Sequence, residues 1–142
     1  MIRSCALSLL LALPAIGQAP LAAPLHYSCH FTSTAPVLDG KLGDAAWNAA
    51  PWTTDFVDIE GDAKPQPRFR TRAKMLWDKQ YLYIAAEIEE PNVHAQLTER
   101  DSVIFRDDDF EVFVKPLPQT ASYYEFEMNA LNTGWDLSLI HI

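Results

Sequence analysis

Residues 68–89 constrain the fold of this chain more than any other stretch, because alternation, turn chemistry and charge there specify a single antiparallel hairpin. A two-residue turn at Lys79-Gln80 sets Asp78 opposite Tyr81. The register then pairs Trp77 with Leu82, Met75 with Ile84, Ala73 with Ala86 and Thr71 with Ile88. Successive strand side chains point to opposite faces, so these residues share one packable face. On the other face Arg72 meets Glu87 and Arg70 meets Glu89. Opposite-charge pairs of this kind contribute a few tenths to about 1 kcal/mol each. The basic run Arg68, Arg70, Arg72 and Lys74 is therefore a salt-bridged strand face rather than an anion site.

A second hairpin is expected from residues 109–115 and 123–129, with Pro116, Pro118 and Gln119 in the connection. Phe110, Val112 and Val114 share a face with Tyr124, Phe126 and Met128. Opposite them stand Asp109, Glu111, Phe113 and Lys115, and Tyr123, Glu125, Glu127 and Asn129. Three registers stay open. Lys115 opposite Tyr123 sets Glu111 beside Glu127, like charges that destabilise the pair. A slip toward the tip sets Glu111 against Glu125 and Asp109 against Glu127, while the opposite slip pairs Lys115 with Glu125. In every case too few basic residues are near to neutralise these acids.

Unpaired carboxylates on a sheet face are explained by solvation, a bound cation, a raised pKa, or a ligand that donates hydrogen bonds. Calcium suits the oxygen-rich run Asp107, Asp108, Asp109, with Asp101 nearby. An EF-hand is excluded, because Val112 stands where its loop needs Gly and Pro118 where it needs the bidentate Glu. An irregular calcium site stays open. A glycosidase needs two carboxylates about 5 to 10 Å apart across a cleft. Glu111 and Glu127 on a flat sheet lack that cleft, and no nucleophile elbow, P-loop or Gly-rich dinucleotide turn appears. A catalytic role is not expected.

Composition bounds the rest. The chain has 142 residues, 49% of them hydrophobic and 21% charged, which fits one globular domain. Residues 1–17 read as an export signal: Arg3, an apolar run over residues 5–16, then Ala15-Ile16-Gly17 at a cleavable spacing. That run is too short to cross a bilayer, so no membrane span is expected. Removing it leaves 11 − 1 = 10 basic against 19 acidic residues, a formal charge of −9. Such a surface repels phosphates and argues against nucleic acid. Cys29 would be the one thiol of the exported chain, free or intermolecular. Residues 18–34 form a leader, Asp44 is a candidate N-cap for a short helical piece carrying Trp47 and ended by Pro51, and residues 56–59 read as a weak strand.

Exposed aromatics stack on sugar faces while polar side chains fix the hydroxyls. Trp47, Trp52 and Trp77 sit in contexts that read as core. Phe105 stands just before the acidic strand, either in the core or beside Glu111 at the sheet rim, and Trp135 is either core or an exposed platform.

Three blocks now carry a resemblance: Val37-Leu38-Asp39-Gly40 followed by Trp47; Leu76-Trp77-Asp78 with Tyr81-Leu82-Tyr83; and Asp108-x-x-Glu111-Val112-Phe113. In this order and spacing, over residues 35–135, the chain resembles the family 9 carbohydrate-binding modules and their DOMON-like relatives. The resemblance implies an all-β antiparallel sandwich of jelly-roll type, exported, often calcium-stabilised and often attached to enzymes that degrade plant polysaccharide. By position, Glu111 matches a Glu that touches sugar, Phe105 a stacking Trp, and Glu127 a position that carries Arg in the binding members. Lys115 replaces a usual acid. The family places more strands after residue 142, so residues 35–142 are expected to be the N-terminal part of a longer module with an enzyme or membrane domain beyond. The expected function is polysaccharide or oligosaccharide binding without catalysis, with Phe105, Glu111, Glu127 and Trp135 as ligand residues and Asp107, Asp108 and Asp109 as the calcium site. Two alternatives remain: a haem-binding redox module using Met75, Met128 and His94, and a purely structural sandwich.

Overall fold

The computed structural model describes residues 24–139. The expected export signal, residues 1–17, and residues 140–142 lie outside the described residues. Two three-stranded sheets make an all-β fold of sandwich type, with no α-helix among the described residues. The first contains β1 (His30–Phe31), β2 (Thr71–Trp77) and β3 (Leu82–Ile88), in that order across the sheet. The second contains β4 (Asp109–Val114), β5 (Tyr123–Asn129) and β6 (Gly134–Leu139), all antiparallel.

The β2–β3 register is the one the sequence specifies, from Thr71–Ile88 through Trp77–Leu82. The Asp78 amide donates to the Tyr81 carbonyl at 2.9 Å, and the Asp78 carboxylate accepts from the Gln80 and Tyr81 amides, closing the turn. Arg72 and Arg70 both reach Glu87, at 2.8 and 3.0 Å, and Arg70 also reaches Glu89 at 2.9 Å.

Burial does not follow the expected faces. Trp77 is exposed and Trp52 only half-buried. Ala73 is buried on the expected face, but the cluster around Leu76 and Tyr83 lies on the face that also carries the salt bridges. The reason is a long-range cover: the 3-10 turn Ala45–Ala49 lays Trp47 and Ala50 over Leu76 and Tyr83. Fully burying a Leu side chain contributes about 1.5–3 kcal/mol. Lys74 is buried here as well, its Nζ donating to the Trp47 carbonyl at 3.2 Å and lying 4.5 Å from the Trp52 ring centre. Burial lowers its pKa. Asp44 sits at the N-cap position, but its carboxylate accepts from the Val37 amide instead of capping the turn.

The outer edge of β2 is closed by side chains. Ala73 N donates to Thr53 Oγ1 at 3.0 Å and Met75 N to the Tyr27 hydroxyl at 3.0 Å, while β1 pairs at Leu76 and Trp77. A strand edge satisfied this way offers no free ladder for another chain. Residues 56–59 form no strand; Phe56 makes one bond to the Thr71 carbonyl and stacks on Phe110 of the second sheet, ring centres 6.4 Å apart.

In the second sheet the observed register is the repulsive one, with Glu111 opposite Glu127. Tyr124, Phe126 and Met128 are exposed, contrary to the expectation that they pack inward. Glu127 and Asn129, on the opposite face, are buried. Again a connecting segment decides the matter, since residues 94–107 are tied to that face.

Candidate functional site

The site grows from the ladder of β4, β5 and β6. Directly paired residues share a face, so Asp109, Glu111, Asn129, Glu127 and Trp135 lie together, with Glu127 between Glu111 and Trp135. The approach to β4 is pinned by two carboxylates. Asp107 Oδ2 accepts from the Gln96 and Leu97 amides at 3.1 and 3.0 Å and from Asn129 Nδ2 at 2.8 Å. Asp108 Oδ2 accepts from the His94 amide at 2.6 Å. Asn129 Nδ2 also donates to the Leu97 carbonyl at 2.8 Å, which receives the Thr133 hydroxyl as well at 2.7 Å. Asn129 Oδ1 accepts from the Leu131 and Thr133 amides, closing the turn into β6. These bonds to its charged form hold the Asp107 carboxyl below the usual carboxylate range, the Leu97 amide first among them.

The acidic run thus divides. Asp107 and Asp108 are engaged in holding the loop, and of the three only Asp109 enters the carboxylate cluster. One oxygen each from Asp109, Glu111 and Glu127 lies within 4.8 Å of the others. Glu127 is only 4% exposed, and its Oε2, like Asp109 Oδ2, has no hydrogen-bond partner. Among the described residues no ion pair reaches any of the three. Burial first, and then the charges of Glu111, Asp109 and Glu125, push Glu127 up to about 7. Asp109 is raised too, by burial and by Glu111.

Beside these acids lies an aromatic pair. The 3-10 turn Ile104–Arg106 buries Ile104 and leaves Phe105 59% exposed. The Phe105 ring centre is 6.2 Å from that of half-buried Trp135, with planes inclined by 34°. Phe105, Glu111, Glu127 and Trp135 are therefore neighbours in space. Asn129 is the residue whose part sequence reasoning missed; the only signal was a polar side chain facing an acid run across a strand pair. The methionines do not converge: Met75 is on β2 of the first sheet, and Met128 is exposed on the face of β5 away from Glu127.

The fold is a small all-β domain that gathers three acids and an aromatic pair on one face of its second sheet. The chain belongs to the carbohydrate family 9 binding domain-like family, whose profile matches residues 38–139. It is similar to Exoglucanase XynX of Acetivibrio thermocellus, 32% identical over 104 residues, and to Endo-1,4-beta-xylanase C of Paenibacillus barcinonensis, 33% identical over 91. Endo-1,4-beta-xylanase A of Thermoanaerobacterium saccharolyticum is 29% identical over 104 residues. The matches cover 71%, 63% and 71% of this chain but 8% of each relative. No solved structure gives a significant match. Among the described residues no helix is long and apolar enough to cross a membrane.

Proposed function

We propose that this chain is an exported, non-catalytic carbohydrate-binding module that attaches to polysaccharide or oligosaccharide and serves enzymes of polysaccharide breakdown. One observation carries the reading: an aromatic pair, exposed Phe105 and half-buried Trp135, stands beside carboxylates that have no protein partner. A pyranose ring has apolar C–H faces that stack on such rings and hydroxyls that donate to carboxylates. Glu111, the exposed acid, accepts hydroxyl hydrogens, while Trp135 and Phe105 exclude water from the sugar face. The names of the relatives point to β-1,4-linked xylan and glucan as the first ligands to try, and the small share of each relative matched fits a module appended to a larger enzyme. Calorimetric titration with xylo- and cello-oligosaccharides should give saturable binding that Glu111→Ala and Trp135→Ala each weaken about tenfold, the loss of one charge-assisted hydrogen bond or one stacked ring. Unchanged affinity in both variants would refute the assignment of this face.

A further inference from the structure

We propose that Asp109, Glu111 and Glu127 form a calcium site set into this face of the sheet. Three features carry it beyond a cluster of surface acids. Glu127 lies on the central strand, is buried to 96% by its 4% exposure, and aims an unpartnered oxygen into the group. Asp109 contributes a second oxygen without a partner. A carboxylate lacking both water and a hydrogen-bond donor is strongly disfavoured unless a cation or proton neutralises it. Solvation, which suffices for exposed Glu111, does not reach Glu127 Oε2.

The donor set selects the ion. Three carboxylates and no nitrogen or sulfur favour a hard cation. Calcium–oxygen distances of ~2.3–2.6 Å allow two ligands of one ion to stand up to ~5 Å apart, and the three oxygens here lie within 4.8 Å of one another. Magnesium demands near-octahedral geometry at ~2.0–2.1 Å and keeps several of its waters, so a site built mainly of protein carboxylates suits it less than calcium. The site is also distinct from Asp107 and Asp108, whose carboxylates hold the loop amides. Three protein ligands leave about three to five of calcium's positions open. Because Trp135 is the cross-strand neighbour of Glu127, those positions border the aromatic pair. Vicinal hydroxyls of a bound sugar are their natural occupants, a step that rests on the sugar-binding reading.

Chelator-treated protein is titrated with terbium, using Trp135 as the luminescence sensitiser, and the bound terbium is then displaced with calcium; calorimetry with calcium alone gives the stoichiometry. One calcium per chain is expected, bound with at least tenfold lower affinity by Glu127→Gln and by Asp109→Asn, and with unchanged affinity by Asp62→Asn, an exposed acid outside the site. Thermal melts of each variant establish that it folds. Absence of saturable calcium binding, or equal affinity in the wild type and the Glu127→Gln variant, overturns the site. The two readings fail separately: calcium binding without oligosaccharide affinity refutes the sugar reading and leaves the ion, whereas calcium-independent oligosaccharide affinity refutes the ion's part in recognition.

Discussion

Replacing Glu127 by Gln tests how strongly the fold resists a charge at the centre of β5. Gln keeps the volume and can donate from Nε2 to Asp109 without a charge. In the calcium-free folded chain Glu127 is raised from 4.5 to about 7. At about 1.4 kcal/mol per tenfold, that rise corresponds to roughly 3 kcal/mol. The sign follows from proton counting. Between those values the folded chain binds more protons than the unfolded one, so stability is fully present below about 4.5, falls as pH rises to about 7, and is flat above it. Urea unfolding with chelator at pH 4.5, 6 and 8 should therefore find the Gln variant close to wild type at the acid end and more stable by up to roughly 3 kcal/mol at pH 8. A stability difference that does not change with pH, or a variant less stable at pH 8, would refute the burial of an uncompensated carboxylate here.

Asn129→Ala removes four hydrogen bonds, two that close the turn of residues 129–133 and two that join it to Leu97 and Asp107, and should destabilise the domain by about 3–5 kcal/mol in urea unfolding. Asp107→Asn should flatten the acid limb of the stability curve, because a carboxyl held below its usual range contributes stability present above its unfolded value and lost as pH falls through the folded one; thermal melts from pH 2 to 5 check this. Leu76→Ala opens a cavity at a fully buried position under Trp47 and should cost about 2–5 kcal/mol by denaturant midpoint.

The first hairpin was legible residue by residue. Its turn, its alternation and its complementary charges are all local, and they agree on a register that the observed pairing reproduces from Thr71 to Trp77. The second was legible as two strands with shared faces but not as a register, since charge alone disfavours setting Glu111 beside Glu127. What sets it is remote: Ala130 N bonds the Asp108 carbonyl, and the Asn129 amide grips Asp107 and the Leu97 carbonyl. Trp135 was undecided between core and platform because the sequence does not say what covers it; the structure sets it opposite Glu127 and half-buried.

Sequence by itself determined that the chain builds antiparallel hairpins, which side chains share a face, and which blocks resemble the carbohydrate family 9 binding domains. Period-two alternation and cross-strand charge act over a few ångströms and need no further context. Only tertiary structure decided which face is buried. The segment bearing Trp47 covers the first sheet and residues 94–107 cover the second, and these contacts join parts of the chain far apart in sequence. That covering leaves Glu127 buried with an unpartnered oxygen while Phe105 remains exposed beside Trp135, which makes an acidic strand into a candidate site.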